Sequence, residues 1–443
     1  MYTASLFFDM HTITAISTPS GRGGIGIIRL SGDKAIEIAD LCFKSAVKVS
    51  EQEPRKMYLG SFVGDGFTDK VLCVKFVAPE SYTGEDLVEF HVHGGIYLTS
   101  RVLNTLIEKG ARQAGAGEFT ERAVLNGKMS LDEAEGVIDV IEADSAMALR
   151  AGFRQMTGKL HGEIASVQHE LMDMLVDISA AIDYPDEVGE DVYAGISDRI
   201  AAVLERIRRL KDSNQRGRLI KNGIQVAILG KPNVGKSSLL NAILQSDRAI
   251  VTDIAGTTRD VIEESIHHNG VKIRFVDTAG IRESDDIVER VGIEKALTVA
   301  DGADVIVVLL DGEKGDFEYD GILNRYADKK IFVCTNKCDV SGDTGGFRAI
   351  SAKTGDGVEK LLDDISALVG VEDGEVVTSG RHTEALVRAY DSVYQAKLGV
   401  DAYTIDCISV DLKDACTALS LITGEGVDAS VIEGVFDKFC VGK

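Results

Sequence analysis

A lysine that grips phosphate needs a backbone able to close around oxyanions, and residues 230–237 supply both. Gly230-Lys-Pro-Asn-Val-Gly235-Lys236-Ser237 fits the pattern G-x-x-x-x-G-K-[ST]. It follows the short apolar run Ile224 to Leu229 and opens a helical stretch, the context this loop requires. Glycines let backbone N–H groups approach phosphate oxygens, and a helix N-terminus adds its positive dipole end. Lys236 then addresses the β- and γ-phosphates and takes a catalytic role. The Ser237 hydroxyl suits Mg²⁺, with Ser238 beside it at the nucleotide.

Three more loops follow in order. Asp277-Thr-Ala-Gly280 ends the strand-like run Lys272 to Val276. Its aspartate suits the Mg²⁺ shell, and the Gly280 N–H suits the γ-phosphate. In Asn336-Lys337-Cys338-Asp339 the last carboxylate can accept two hydrogen bonds, from N1–H and the 2-amino group of guanine. Adenine offers no such pair, so Asp339 selects GTP over ATP. Ser351-Ala352-Lys353 is a loop of the kind that backs the guanine. Thr257 and Thr258 lie where a switch threonine would complete the Mg²⁺ site. Together these loops identify a GTP hydrolase.

Two positions bear on how it hydrolyses. Many small GTPases orient water with a glutamine directly after D-x-x-G; here that residue is Ile281, so another group must do so. Asn233 lies inside the phosphate loop and has two readings. It caps the loop, or its amide oxygen holds a monovalent cation where an arginine finger stands elsewhere, a role worth about 10³–10⁵ in rate.

The elements that must position these loops fall into three parts of the 443-residue chain. Residues 1–127 combine alternating stretches, such as Lys70 to Val77 and Leu87 to Val92, with helical segments Asp33 to Cys42 and Leu98 to Lys109, which predicts an α+β domain. Residues 128–220 and 376–443 read as helical. Ile164, Val167, Leu171, Leu175, Ile178 and Ile182 draw one apolar stripe, Tyr184-Pro185 breaks the helix, and Ser197 to Lys211 resumes it. Residues 221–375 alternate strand and helix, adding Val305 to Leu310 and Ile331 to Cys334, as a parallel sheet with helices on both faces does. The expected architecture is an α/β P-loop GTPase domain inserted in an all-helical domain and preceded by an α+β domain.

The net charge of −23 argues against a broad phosphate-gripping surface. A local basic stretch, Arg206, Arg208, Arg209, Lys211, Arg216, Arg218 and Lys221, reads first as a solvated helix end and second as a nucleic-acid patch. The seven cysteines have no paired spacing and read as reduced thiols. No apolar run approaches the ~20 residues that span a bilayer, and no signal-peptide pattern is seen, so the expectation is a cytoplasmic protein without membrane attachment. His91 and His93 share a strand face, as metal ligands can, but strand packing explains them as well.

Four stretches outside the nucleotide loops resemble the bacterial tRNA-modification GTPase family MnmE (TrmE). They are Thr18-Pro-Ser-Gly-Arg-Gly-Gly-Ile-Gly-Ile-Ile-Arg29-Leu-Ser-Gly32; Tyr82-Thr-Gly-Glu-Asp-Leu-Val-Glu89 with His93-Gly-Gly95; Gly117-Glu-Phe-Thr-Glu-Arg-Ala123 with Leu125-Asn-Gly-Lys128; and Phe439-Cys440-Val-Gly-Lys443. The resemblance covers essentially the whole chain. Gly115-Ala116 stands where the family often has Arg-Pro, and Lys231 where an arginine is common.

The resemblance implies that the N-terminal domain binds folate and forms a homodimer. It implies a K⁺ site from Asn233, Thr252, Ile254 and Thr257, Mg²⁺ on Ser237 and Thr258, and Glu289 as the water-orienting residue. Arg29, Glu89, Lys128 and Lys443 would line a pocket for 5-formyl- or methylene-tetrahydrofolate. A pterin has a guanine-like N–H and amino edge, so Glu89 can read it as Asp339 reads guanine, and cations suit the glutamate tail. Cys440, near that pocket, is either an idle thiol or a participant in the chemistry. The implied reaction modifies C5 of the tRNA wobble uridine (U34) to carboxymethylaminomethyl- or aminomethyl-uridine. The implied partner is an FAD-containing MnmG subunit, in a heterotetramer or larger assembly. Two rivals are a ribosome-assembly GTPase, which would lack the N-terminal stretch, and a GTP-regulated one-carbon enzyme acting on a small molecule.

Overall fold

The computed structural model describes residues 11–246, 264–276, 298–312, 320–341, 345–370, 374–400, 405–426 and 429–442. The chain divides into two compact units. One comprises Met1–Ile138, Gln155–Leu204 and Arg388–Lys443, the other Asp139–Arg154 and Glu205–Val387.

In the first unit, seven strands form one sheet: β1 (Ile13–Ile16), β2 (Ile25–Ser31), β3 (Phe43–Lys44), β4 (Tyr58–Gly64), β5 (Phe67–Phe76), β6 (Leu87–His93) and β7 (Arg112–Gln113). The order is β3-β4-β5-β6-β2-β1-β7, antiparallel except for the β1–β7 pair. Strand β6 alternates as a half-buried strand should: Val88, Phe90 and Val92 are buried, while Glu89 and His91 are half-buried and His93 exposed. Val88, Phe90 and Val92 share a core with Ile28, Leu30 and Phe62, closed by helices Ala35–Cys42 and Ile96–Glu108.

The helical part of this unit corrects the expected stripe. On helix Lys159–Asp183 the buried side chains are Leu160, Ile164, Val167, Leu171, Met174, Ile178 and Ala181. Leu175 is only half-buried and Ile182 is 46% exposed. Steps that alternate four and three give the 3.5-residue period of a long helix pair and keep one seam on its neighbour. That neighbour is Ile405–Thr423, whose Cys416 carbonyl accepts a hydrogen bond from Gln168. The short helix Ala429–Phe436 packs Ile432, Val435 and Phe436 against Leu131 and Ala134. Tyr184-Pro185 interrupts the helix only at a point, since the next helix, Pro185–Asn222, starts at the proline itself. At the first helical position a missing N–H costs nothing.

The second unit holds a six-stranded sheet of β8 (Ile224–Leu229), β9 (Glu264–His268), β10 (Val271–Phe275), β11 (Val305–Asp311), β12 (Lys330–Asn336) and β13 (Arg348–Ala349). Its order is β13-β12-β11-β8-β10-β9, parallel except for β9. All seven residues of β11 are buried, as a strand covered on both faces requires. Helices Lys236–Ser246 and Val358–Ser366 contribute Leu239, Leu240, Ile243, Leu361, Leu362 and Ile365 to the core on one face. Residues near 298–303 and Tyr326 cover the other.

Candidate functional site

The nucleotide loops follow the carboxyl ends of β8, β12 and β13, where parallel α/β sheets hold ligands. Lys236 is the first residue of its helix, and its ammonium donates to the carbonyl oxygens of Gly230 at 2.8 Å and Lys231 at 2.9 Å. It therefore arches over the loop it belongs to. Burial pulls its pKa below the ordinary 10.5. Asn233 takes a left-handed backbone, φ 62°, at the loop crest, a conformation asparagine tolerates better than most residues.

Asn336 is 3% exposed and joins two loops. Its Nδ2 donates to the Val234 carbonyl at 2.8 Å, and its Oδ1 accepts from the Ala352 N–H at 2.9 Å. Gly235 has φ +98°, and a Cβ there would lie 2.2 Å from Asn336 Nδ2, so a side chain would drive the two apart. The Lys337 ammonium donates to Asp311 Oδ2 at 3.1 Å. Asp339 Oδ1 accepts from the Ser351 hydroxyl at 2.7 Å, and that bond holds the carboxyl below its usual range. The carboxylate is thereby kept ionised, with Oδ2 still able to accept from a ligand. Lys353, two residues after Ser351, is exposed. Ser237 is half-buried and Ser238 exposed at the start of the helix. The donor set thus suits a guanine nucleotide. Thr252, Ile254, Thr257, Thr258, Asp277, Gly280, Ile281, Glu289 and Lys443 lie outside the described residues.

A second polar site sits on the N-terminal sheet. The antiparallel register sets Arg29 on β2 opposite Glu89 on β6. Arg29 Nε donates to Glu89 Oε1 at 2.9 Å, and Nη2 lies 2.8 Å from the same oxygen as an ion-pair contact. The guanidinium also lies 5.3 Å from the Tyr82 ring centroid and 5.6 Å from that of Phe119, a favourable placement for a cation. The Tyr82 hydroxyl meets Thr120 Oγ1 at 2.8 Å, and burial pushes its phenol above the ordinary value. Both side chains of the ion pair are about one-sixth exposed, at 16% and 15%, which leaves the group accessible from one side. Lys128 donates to the Pro79 carbonyl at 2.9 Å and is exposed, so the structure does not bring it onto the Arg29–Glu89 pair.

The C-terminal segment reaches this sheet too. Val441 bridges Ala116, the Gly117 N–H points to the Cys440 carbonyl at 3.4 Å, and the Ser17 hydroxyl donates to the Gly442 carbonyl at 2.9 Å. Gly442 has φ +101°, and a Cβ there would fall 2.3 Å from the Ile16 carbonyl oxygen. Only glycine fits that approach. Cys440 is exposed.

Sequence reasoning did not find the charged network beside this site. Glu118, 8% exposed at its side chain, accepts from Arg112, from the Gly115 N–H at 2.8 Å and from Arg122 at 2.9 Å. Burial would raise its pKa, but these donors outweigh it and hold the carboxyl low. Arg122 also donates to both oxygens of Glu85, which accepts in turn from the Ser31 hydroxyl. The signal was the i,i+4 spacing of Glu118 and Arg122 on one helix.

Five of the seven cations of the basic stretch are paired with carboxylates. Arg208 pairs with Glu205 and Asp212, Arg209 with Glu205, Lys211 with Asp212, Arg218 with Asp304, and Lys221 with Asp139. It behaves as a solvated helix end. His91 pairs with Glu89 and His93 with Asp69, and among the described residues no group of side chains is arranged to hold a metal ion. No described helix is long and apolar enough to cross a membrane.

A parallel sheet whose first strand enters a G-x-x-x-x-G-K-S loop, with an N-K-x-D loop tied to it, defines a P-loop guanine-nucleotide-binding protein. Two family models match this chain: GTP-binding protein TrmE N-terminus over residues 12–128 and MnmE helical domain over residues 131–440. The tRNA modification GTPase MnmE of Clostridioides difficile is 39% identical over 460 residues, covering 99% of this chain and 100% of that protein. That of Acetivibrio thermocellus is 39% identical over 454 residues, covering 98% and 99%. The chain belongs to the MnmE family of GTP hydrolases, and the match to the helical model brackets the nucleotide-binding sheet.

Proposed function

We propose that this chain is a K⁺-activated GTPase that modifies C5 of the wobble uridine in certain tRNAs. It acts as a homodimer with an FAD-containing MnmG-type partner, in the cytoplasm. The observation that carries the reading is likeness to tRNA modification GTPases over the full length of both chains. That likeness takes in the N-terminal sheet and the tail as well as the nucleotide loops.

On this reading Asp339 selects guanine, Asn336 keeps the phosphate and base loops in register, and Lys236, Ser237, Thr258 and Asp277 serve the phosphates and Mg²⁺. Asn233, Thr252, Ile254 and Thr257 hold K⁺, which would supply positive charge beside the phosphates. Glu289 orients the attacking water. GTP hydrolysis drives opening and closing of paired nucleotide domains rather than forming the uridine bond.

Arg29, Glu89, Lys128 and Lys443 hold a tetrahydrofolate that carries the one-carbon unit. The paired Arg29–Glu89 group, open on one side and backed by two rings, suits a flat heterocycle with an N–H and amino edge. Cys440, on a segment bonded to the same sheet, is the thiol assigned to the modification chemistry. Calorimetric titration with 5-formyltetrahydrofolate tests the site: the intact protein should bind, and Glu89→Ala should lose binding by at least about tenfold. Equal binding by both proteins would refute it.

A further inference from the structure

The turn between β9 and β10 is built to stay rigid. His268 pairs with Val271, which leaves a two-residue loop, Asn269-Gly270, with positive φ at both positions, 51° and 77°. That is the type I′ geometry, whose twist matches the strands it joins. A hairpin closed in this way shifts as one body. By sequence it joins the stretch holding Thr257 and Thr258 to the one holding Asp277 and Gly280. Its turn stands at the amino end of β10, which runs parallel to β8, so it lies at the end of the sheet opposite the nucleotide loops.

That turn is held on two sides. His268 Nε2 meets Asp363 Oδ1 at 2.8 Å, and Asn269 Nδ2 donates to the same oxygen at 3.0 Å. On the other side the Gly270 carbonyl accepts from the Met147 N–H at 3.1 Å, and Lys272 pairs with Asp144. Asp144 and Met147 belong to Asp139–Arg154, a segment remote in sequence that forms part of the same compact unit. Its Ala148 and Ala151 share a core with Ile266, Val271 and Ile273. A Cβ on Gly152 would lie 2.8 Å from the Val140 nitrogen, so the two arms of the segment abut. Close packing of this kind passes on a displacement instead of absorbing it.

The first residue of the segment reaches both ends of the sheet-bearing stretch. Asp139, 8% exposed, accepts from Lys221 at 2.6 Å through Oδ1 and from the Thr378 hydroxyl at 2.8 Å through Oδ2. Lys221 lies just before β8, and Thr378 lies beyond the helix Val358–Ser366. The two ends also meet each other. The Ser213 hydroxyl oxygen accepts from the Val377 N–H at 3.1 Å, and a Cβ on Gly217 would fall 2.0 Å from the Val377 carbonyl oxygen. A buried carboxylate with both oxygens bonded is a fixed point, because losing either partner leaves charge unmet.

We propose that Asp139–Arg154 passes a nucleotide-dependent shift of the β9–β10 hairpin to both ends of the sheet-bearing stretch, with Asp139 as the positioning residue. The inference rests on the switch roles assigned above to Thr258 and Gly280. Contacts to the γ-phosphate pull on the chain at the two outer ends of the hairpin. The rigid turn carries that pull to Met147 and Asp144, and Asp139 delivers it to Lys221 and Thr378.

The test is hydrogen exchange of the full chain in K⁺, with GDP and with a GTP analogue that resists hydrolysis, for the wild type, Asp139→Asn and Thr378→Val. Three peptides are read: across Asp277 to Gly280, across Met147, and across Val377. In the wild type all three should differ between the two nucleotides. Both variants should keep the GTP hydrolysis rate and the first two differences, and lose the third. Thr378→Val keeps the side-chain shape and removes one bond, so it serves where Asp139→Asn does not fold. A wild type that differs across Asp277 to Gly280 but not across Met147 and Val377 would overturn the proposal and leave the switch reading intact. So would variants that keep the difference at Val377. No difference even across Asp277 to Gly280 would overturn the switch reading, and the inference with it.

Discussion

Asn336 Nδ2 donates to the carbonyl oxygen of Val234 across 102 positions of sequence, inside the turn that precedes Lys236. The same amide accepts from Ala352, so one side chain sets the spacing between the phosphate loop and the base loop. Asn336→Ala leaves the Val234 carbonyl and Ala352 N–H without that partner, at a cost of about 1–3 kcal/mol. GTP affinity, followed with a fluorescent nucleotide, should fall by about tenfold or more. Unchanged affinity would show that the loops hold register by other means.

Asp339 offers its free oxygen to the base while Ser351 fixes the other. Asp339→Asn replaces an acceptor by a donor at the guanine edge. Affinity for GTP should drop by at least about 10², while xanthosine triphosphate, whose 2-oxo group accepts, gains. Competition between the two nucleotides measures this directly, and a variant that still prefers GTP would contradict the assigned role.

The K⁺ reading separates from loop conformation through the backbone of Asn233. Its φ of 62° is strained for alanine but free for glycine. Asn233→Gly keeps the loop and removes the amide oxygen. Wild-type hydrolysis should be faster in K⁺ than in Na⁺, and Asn233→Gly should abolish the difference while GTP affinity holds. Equal wild-type rates in the two salts would sink the idea.

Asp132 is fully buried and meets His161 Nδ1 at 3.1 Å. That hydrogen bond raises the His161 pKa against the opposing pull of burial, with the charges of Asp132, Glu133 and Glu425 adding to it. A group whose folded pKa exceeds its unfolded value of 6.5 stabilises fully below 6.5 and loses that contribution as pH rises through the folded value. The melting temperature of the wild type should therefore fall relative to His161→Gln as pH rises above 6.5. Thermal unfolding by circular dichroism decides it, and a constant difference between the two would count against the pair.

The nucleotide loops were legible in the sequence because their chemistry is local: each motif lies within eight residues and follows a strand of its own. The seam of helix Lys159–Asp183 was not. Met174 and Leu175 are both apolar, and the choice between them comes from the neighbouring helix, not from the pattern. The sequence pattern predicts a helix over Ser197 to Lys211, but the helix runs Pro185–Asn222, with the proline that ends the preceding helix standing as its first residue. The resemblance puts Arg29 and Glu89 in one pocket, but neither strand's own pattern shows that they pair; the β2–β6 register does that, across 60 positions. The Glu118 network was hidden for the same reason, since Arg112, Glu85 and Ser31 come from three other segments.

In the proposed function, GTP hydrolysis and tRNA modification depend on the same chain. The most direct test of that dependence is mass spectrometry of nucleosides from bulk tRNA of cells lacking this gene, with the gene restored as wild type or as Lys236→Ala. C5-substituted wobble uridines should disappear on deletion, return with the wild type, and stay absent with Lys236→Ala. An unchanged nucleoside profile in the deletion strain would contradict the account and leave a GTPase whose substrate lies elsewhere.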